Sequence, residues 1–276
     1  MKILSSTGSL YTYGIDRAFY ISKEAGFDGM EIIIDYRFDT RQPEYLSYLS
    51  KKYKLPIIVI HGPFFKIPDW PKSQVEAIKR TIEIAKNVGS KKVNFHLPSK
   101  IIKSVIVSLL KFKSALHFGI KAELDYRKWL KNEYENFKKE NNIEILMENL
   151  PAKNSFLKLD IHHWNKPKDI KQFAPLTLDT THLGTFGLDP TNIYRELKDK
   201  IKHIHLSNFD QGKEHRRSEY GQLDLGKFLQ ELKNNRYNET ITLELHPDAL
   251  DAGQPDKKII KNLKESLNYC RNILNK

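Results

Sequence analysis

Residues 176–210 read LTLDTTHLGTFGLDPTNIYRELKDKIKHIHLSNFD. Two short runs rich in β-branched residues, LTLDT and IKHIHLS, flank a longer stretch that has the apolar spacing of an amphipathic helix. Strands that alternate with helices in this way are typical of parallel βα units. The segment therefore predicts one complete unit and the strand that begins the next.

The same alternation recurs along the whole chain. The eight candidate strands are KILSST at 2–7, GMEIII at 29–34, PIIVIH at 56–61, KVNFH at 92–96, IEILMEN at 143–149, LTLDT at 176–180, IKHIHLS at 201–207 and TITLELH at 240–246. None is followed by the GxGxxG or GxxxxGK[ST] turn with which open doubly wound sheets bind nucleotide phosphates. Since the 276 residues are close to the ~250 of a typical α/β barrel, we predict a single (β/α)₈ TIM barrel domain spanning 1–276.

Two segments are longer than a plain barrel requires. Residues 99–142, after the fourth strand, exceed one barrel helix, and we expect Gly119 to divide them into two helices. Residues 149–174 are irregular and are expected to form a loop with short helical turns over the active face. Both segments are predicted to elaborate the barrel without forming a second domain.

The composition restricts the chemistry that is available. Hydrophobic residues make up 39% of the chain and charged residues 29%, which is a globular balance. Cys270 is the single cysteine, so the chain can form neither an intramolecular disulfide nor a thiolate metal cluster. Any metal ion would have to be bound by histidine and carboxylate side chains.

Charge and hydropathy bear on location and partners. The formal net charge is +12, but the lysines are spread over segments with helical spacing, which favours solvated helix faces over a nucleic-acid patch. No run reaches the ~18 apolar residues of a spanning helix, and the first residues lack the features of a secretory signal. We therefore predict a cytoplasmic protein without a membrane partner.

Acidic and imidazole side chains stand at the ends of six consecutive predicted strands. They are His61, His96, Glu148, Asp179 with His182, His205 and Glu244. In a barrel the carboxyl ends of all strands converge on one face, where active sites are built. Buried charges are costly unless they are paired, and a divalent cation pairs several at once. The pattern predicts a metal site, and its oxygen and nitrogen ligands suit Mn²⁺, Co²⁺, Mg²⁺ or Zn²⁺ without choosing among them.

Taken singly, each of these residues is more often structural than functional. We assign that structural or exposed role to four other histidines, namely His117, His162, His163 and His246. His203 has the parity of His205 but lies deeper in its strand, so we expect a core histidine that points into the barrel. The metal hypothesis depends on the coincidence at six strand ends.

Several short motifs resemble those of a known family. They are HGPF at 61–64, FHLP at 95–98, MENLP at 147–151, LDTTH at 178–182, HIHLSN at 203–208 and LELHP at 243–247. Together they resemble the xylose isomerase-like TIM barrels, over nearly the whole chain. That family contains sugar isomerases and epimerases and also abasic-site (AP) nucleases of the endonuclease IV type, called AP endonuclease family 2.

The resemblance to the sugar enzymes implies a mechanism. Glu148, Asp179, His205 and Glu244 would bind one divalent ion, with Glu148 and Glu244 also acting as paired acid and base. The reaction would be proton transfer beside a carbonyl of a sugar or sugar phosphate, through an enediolate. His182 would bond to an oxygen of this small carbohydrate substrate.

The resemblance to the nucleases implies an alternative, a zinc-dependent phosphodiesterase that acts on DNA. His61 and His96 would complete a further zinc site, and His182 belongs to a third. In a one-metal sugar enzyme, His61 and His96 would instead contact the substrate. The match fails after the seventh strand, where EHRRSEYGQLD at 214–224 places His215 and Arg217 at the two remaining ligand positions. Arg cannot ligate a cation, so we expect His215 and Arg217 to be either contacts for an anionic substrate group or ordinary loop residues. A homodimer is left open.

Overall fold

The barrel expected from the sequence is present. The computed structural model describes residues 1–100, 103–109, 112–118, 121–153 and 157–275, with the backbone alone for 103–109, 112–118 and 121–122. Its strands are β1 (Lys2–Ser6), β2 (Gly29–Ile33), β3 (Ile57–His61), β4 (Lys92–His96), β5 (Lys103–Leu109), β6 (Phe112–Phe118), β7 (Glu144–Glu148), β8 (Leu176–Asp179), β9 (Ile201–Leu206), β10 (Asn208–Asp210), β11 (Lys213–Arg216) and β12 (Thr240–Leu243). Eight of them close into a barrel in the order β1-β12-β9-β8-β7-β4-β3-β2.

All neighbouring pairs within the barrel are parallel. These eight strands coincide with the eight predicted runs, so the prediction of a closed (β/α)₈ barrel is confirmed. The described helices are α1 (Ile15–Ala25), α2 (Pro43–Tyr53), α3 (Gln74–Val88), α4 (Lys121–Asn132), α5 (Tyr134–Glu140), α6 (Pro167–Ile170), α7 (Thr180–Thr185), α8 (Pro190–Leu197), α9 (Leu225–Asn234) and α10 (Asp256–Leu274).

Glycine ends the first barrel helix where the sequence places it. Gly26 follows α1 with φ 94°, and its N–H donates to the carbonyls of Ser22 and Lys23. Only glycine adopts this left-handed conformation without steric cost, so the helix stops there. The chain then turns back towards the amino-terminal end of β2.

The prediction for residues 99–142 is wrong in its first half. Instead of two helices, the chain forms an antiparallel hairpin of β5 and β6, followed by α4 and α5. The run SVIVSL at 104–109 explains the difference, because its β-branched residues favour a strand over a helix. Gly119, expected to divide two helices, lies outside the described residues.

The second insert, residues 149–174, has the short helical turns that were predicted for it where it is described. It contains the single turn α6 and a 3₁₀ turn at Lys171–Phe173. Its backbone is tied to the segment after β4, since Lys100 N donates to Ile161 O at 2.6 Å and His163 N donates to Pro98 O at 2.9 Å. The insert therefore lies beside the mouth of the barrel next to His96.

Within the described part of the chain, every helix is too short or too polar to cross a membrane. Leu, Ile, Val and Phe side chains fill most of the core between barrel and helices. The barrel interior also buries polar side chains, among them Glu31, His203 and Thr242. These polar groups lie inside the barrel, and Glu31 contacts His205 near the carboxyl-terminal mouth.

Candidate metal centre

Four strand ends deliver four side chains to one point of the barrel mouth. Glu148 ends β7, Asp179 ends β8, His205 lies one residue before the end of β9, and Glu244 follows β12. One ligand atom from each lies within 4.8 Å of the others. His205 Nδ1 is 2.8 Å from Glu244 Oε2, 3.3 Å from Glu148 Oε1 and 3.7 Å from Asp179 Oδ2. We call these four residues the quartet.

The atoms that face each other in the quartet are left without ordinary partners. Glu148 Oε1, Asp179 Oδ2 and His205 Nδ1 are buried, and none has a hydrogen bond of suitable geometry within the described residues. Buried polar atoms are nearly always satisfied, and an orphan calls for an explanation such as an ion. Three acidic oxygens and one imidazole nitrogen are a donor set that divalent cations accept. The quartet fits a metal ion.

Glu31 fixes the orientation of the histidine in the quartet. Its Oε1 lies 3.1 Å from His205 Nε2, and its Oε2 lies 3.0 Å from His203 Nε2. Since a carboxylate only accepts, the Nε2–H of His205 donates to Glu31, and Nδ1 is the ring atom directed at Glu148, Asp179 and Glu244. Histidine ligands of metals are commonly oriented by a carboxylate in this way.

The sequence reasoning did not identify Glu31. The available signal was an acidic residue in the middle of the apolar strand GMEIII, which the structure shows to be fully buried. The expectation that His203 is a core histidine is confirmed, because it is buried and its Nδ1 lies 2.6 Å from Thr240 Oγ1.

Electrostatics in the quartet favour cation binding. Burial would lower the pKa of His205, but Glu31, Glu244 and Glu148 outweigh it and raise that pKa well above its usual value. Burial and the neighbouring Glu148 raise the pKa of Asp179 well above its usual range. Burial would also raise the pKa of Glu244, yet His205 lowers it to about 2. A divalent ion could replace the proton that these groups share.

Two more histidines approach the same glutamate from the other side. The Nε2 atoms of His61 and His96 lie 3.2 Å and 3.4 Å from Glu148 Oε2, and Asn94 Nδ2 donates to that oxygen at 2.6 Å. Ligand atoms of His61, His96 and Glu148 lie within 4.8 Å of one another. Glu148 thus presents one oxygen to the quartet and the other to this histidine pair.

His182 and His215 lie at the edge of the quartet. His182 Nδ1 donates to Asn149 O at 2.8 Å, and burial lowers the pKa of His182 to about 3, so its Nε2 carries a lone pair. His215 Nδ1 lies 3.1 Å from Glu244 O. The imidazole rings of His182 and His215 meet edge to face, with their centroids 5.4 Å apart. Ligand atoms of Asp179, His182 and His215 lie within 4.8 Å of one another.

Of the two roles left open for Arg217, its contacts are those of a loop residue. Its Nε donates to Glu219 Oε1 at 2.8 Å, and its Nη2 donates to Glu265 Oε2 at 2.7 Å. Its Nη1 donates to Asn262 Oδ1 at 3.3 Å. Because two carboxylates and an amide satisfy the guanidinium, Arg217 ties its loop to α10 and does not point to the quartet.

A structural or exposed role was expected for the remaining histidines. Burial lowers the pKa of both His162 and His163 to about 4, in keeping with a structural role in the second insert. The side chain of His117, on β6, lies outside the described residues. His246 is partly exposed and its Nδ1 accepts the N–H of Asp248 at 3.3 Å, in keeping with the structural or exposed role expected for it. It also lines a cavity beside Glu244.

The cavity beside Glu244 has a volume of about 500 Å³. Loops that follow β1, β2, β3 and β12 form its wall. The lining residues are Gly8, Tyr11, Ile33, Asp35, Tyr36, Arg37, Phe64, Phe65, His215, Glu244, Leu245, His246 and Pro247. The described part of the second insert contributes none of them, so the loop that was expected over the active face does not cover this cavity. Its aromatic residues were missed because loop aromatics follow no periodicity that a sequence pattern could detect.

Comparison with known proteins agrees with this architecture. A family model described as xylose isomerase-like TIM barrel matches residues 19–273. An uncharacterized protein of Mycobacterium leprae (strain TN) is 21% identical over 228 residues, which cover 75% of this chain and 74% of that protein.

Solved structures of similar fold carry two kinds of name. A D-tagatose 3-epimerase-like protein is 19% identical with a TM-score of 0.66 and covers 100% of this chain and 98% of its own. An AP endonuclease, family 2, from Brucella melitensis is 14% identical with a TM-score of 0.64, covering 94% of this chain and 97% of its own. At these identities the likeness concerns the fold alone.

Proposed function

Because the chain belongs to the xylose isomerase-like TIM barrel family, we propose that it is a divalent-metal-dependent isomerase or epimerase of a small carbohydrate. The observation that carries the proposal is the quartet, in which three buried ligand atoms lack hydrogen-bond partners among the described residues. The name of the D-tagatose 3-epimerase-like structure supports the same class of reaction. The cytoplasmic location and the carbohydrate partner stay predictions.

Glu148, Asp179, His205 and Glu244 would hold the ion, with Glu31 orienting His205. When bound, an ion of the Mn²⁺, Co²⁺, Mg²⁺ or Zn²⁺ type would polarise the carbonyl and hydroxyl oxygens of the substrate. Nothing in the donor set selects one of these metals.

The proton transfer itself is assigned to the two glutamates. Glu244 directs Oε2 at His205, while its Oε1 lies on the side of Gly8 and the cavity, where a substrate carbon can approach. His205 lowers the pKa of Glu244 against the effect of burial, so this carboxylate is ionised and can take a proton beside a carbonyl. Glu148, the other glutamate of the quartet, would exchange the second proton.

His182 would position the substrate. Its Nδ1–H is committed to Asn149 O, and the ring is neutral because burial lowers its pKa to about 3. The free Nε2 can therefore accept a hydrogen bond from a substrate hydroxyl. An unprotonated acceptor next to Asp179 avoids adding positive charge where the ion would bind.

The test is solvent exchange. The metal-loaded protein is incubated in D₂O with a panel of neutral ketohexoses, and the products are followed by NMR. We expect deuterium at the carbon beside the carbonyl, together with an epimer or isomer, and neither product with Glu148→Gln. Failure of every ketose to exchange, with metal bound in the quartet, would contradict the proposal.

A second candidate is favoured by one observation. His61, His96 and Glu148 bring three ligand atoms within 4.8 Å, a second metal group beside the quartet. Two metals that share a carboxylate would suit a zinc-dependent phosphodiesterase or abasic-site endonuclease. Salt-sensitive nicking of DNA that contains an abasic site, lost in His61→Ala, would favour this candidate. Arg217 supplies no ligand for a third metal, since a guanidinium has no lone pair to donate.

A further inference from the structure

Three aromatic side chains stand exposed around the cavity next to Glu244. Tyr11 is 51% exposed, Tyr36 64% and Phe64 55%, and all three line the same cavity. Tyr36 is held on one face by Phe65, with ring centroids 4.7 Å apart and an interplanar angle of 15°. Clustered exposed aromatic surface on a monomer commonly marks a binding site.

The single guanidinium in the cavity wall has no capacity left for a ligand. Arg37 donates from Nε to Asp35, from Nη1 to Leu10 O and Tyr13 O, and from Nη2 to Thr7 O and Asp35. These bonds use the five N–H donors of the side chain. Among the residues that line the cavity there is no lysine and no second arginine.

The acidic groups in the wall make the cavity unsuitable for an anion. Asp35 and Glu244 both line it. The charges of Asp35 and Arg37 offset each other, so a phosphate in the cavity would meet the carboxylate of Glu244 without a free lysine or arginine among the lining residues to balance it. Hydroxyl groups are suited to the same wall. His246 Nδ1 accepts the N–H of Asp248 at 3.3 Å, which leaves Nε2 of His246 to bond with a hydroxyl.

The cavity is continuous with the proposed reacting centre. Glu244 belongs to both, and Gly8 lies between them. A Cβ at Gly8 would lie 3.6 Å from Glu244 Oε1 and 2.5 Å from Ile33 Cδ1. A side chain at this position would therefore collide with Ile33, which lines the cavity, and crowd Glu244. At about 500 Å³ the cavity falls within the range of roughly 300–1,000 Å³ that takes drug-sized ligands.

We propose that this cavity is a subsite for a second, uncharged sugar ring, so that the substrate is a neutral two-ring carbohydrate and not a sugar phosphate. The proposal rests on the proposed function, because the reacting ring would lie at the quartet. The C–H face of the second ring would pack on Tyr11, Tyr36 and Phe64, whose ring faces carry partial negative charge. Its hydroxyls would face His246 and the solvent.

Three probes that differ at one position test the charge and size of the occupant. All three probes contain the same ketose, D-fructose. Its O6 carries a hydrogen in D-fructose itself, a neutral sugar ring in isomaltulose and a phosphate in D-fructose 6-phosphate. Their dissociation constants for the metal-loaded protein are measured by titration calorimetry. We expect isomaltulose to bind about tenfold more tightly than D-fructose, the factor of one well-buried apolar group, and the phosphate to bind no more tightly than D-fructose.

Variants test whether the tighter binding of isomaltulose depends on the aromatic residues that line the cavity. Tyr11→Ala and Tyr36→Ala should each weaken isomaltulose at least about fivefold and leave D-fructose within about twofold. Phe38→Ala is the matched control, because Phe38 is an exposed aromatic of the same loop as Tyr36 but does not line the cavity. It should change neither affinity. Unchanged D-fructose binding shows that the variants are folded.

The outcomes separate this proposal from the proposed function. Isomaltulose that binds no more tightly than D-fructose, or D-fructose 6-phosphate that binds most tightly, overturns the subsite even if D-fructose exchanges its protons. Selective binding of isomaltulose that depends on Tyr11 and Tyr36 supports the subsite even if no probe is turned over. In that second case the isomerase reaction fails and the subsite stands.

Discussion

The mouth of the barrel has two halves that are built differently. The metal half consists of the quartet with His61, His96 and His182, whose side chains stand at or beside strand ends and are mostly buried. The aromatic half consists of Tyr11, Tyr36, Phe64 and Phe65, which stand on loops after β1, β2 and β3 and are mostly exposed. Glu244 belongs to the metal half and borders the other. The strand ladders fix the positions of the groups assigned to chemistry, while loops carry the surface assigned to recognition.

The largest effect should come from removing a carboxylate from the metal half. Glu148→Gln should abolish solvent exchange, a loss of at least about 10³-fold, because the variant lacks both a ligand and a proton carrier. Activity is measured by NMR and bound metal by elemental mass spectrometry. Glu239→Gln is the control, since Glu239 pairs with Lys92 and Lys202 at the opposite end of the barrel. Unchanged activity and metal content in Glu148→Gln would show that the assignment is wrong.

The next largest effect is expected at Glu31, on which the metal affinity of the quartet should depend. Glu31→Gln should weaken metal affinity about 10- to 100-fold, because an amide no longer fixes the tautomer of His205. Competition with a chromophoric chelator measures the affinity, and ¹⁵N shifts of labelled histidine report the tautomer. Thr240→Val removes a contact of His203 only and should leave affinity unchanged. Equal metal affinities in the unaltered protein, Glu31→Gln and Thr240→Val would show that Glu31 serves packing alone.

Metal binding should also depend on pH. Glu31, Glu244 and Glu148 raise the pKa of His205 well above its usual value although burial opposes them, so the metal-free ring is protonated at neutral pH. An ion must displace that proton. Affinity therefore rises with pH, by about tenfold per unit below the raised pKa. Calorimetry in two buffers of different ionisation enthalpy should show proton release at pH 7, and its absence would contradict this protonation state.

The smallest effect is expected in the aromatic half. Tyr11→Ala should lower the free energy of unfolding by no more than about 1 kcal/mol and leave the metal content unchanged, because Tyr11 is exposed. Phe95→Ala, at a buried residue of β4, should cost about 3–5 kcal/mol. Chemical denaturation measures both. Loss of metal from Tyr11→Ala would mean that the two halves are not independent.

The same division explains what the sequence could predict. His61, Glu148 and Asp179 end apolar runs of β-branched residues, so strand periodicity and the convergence of strand ends were enough to bring them together. The pairing of β5 with β6 was missed because the length of residues 99–142 suggested two helices, although SVIVSL at 104–109 is a β-branched run. Glu31 was missed because one acidic residue inside a strand does not reveal which buried group it meets.

The aromatic half was beyond sequence reasoning for a different reason. Tyr11 and Tyr36 lie in loops, where no period relates a residue to its neighbours in space. The two roles left open for Arg217 could not be separated from the sequence, because its partner Glu265 is brought to it by the packing of α10, a tertiary contact that no local motif encodes.

The most direct test of the central claim is the metal content of the purified protein, measured by elemental mass spectrometry beside a His61→Ala, His96→Ala double variant. A mononuclear centre built on Glu148, Asp179, His205 and Glu244 predicts about one equivalent of divalent metal in both proteins. Two or more equivalents of zinc that fall in the double variant would contradict it and favour phosphodiester cleavage.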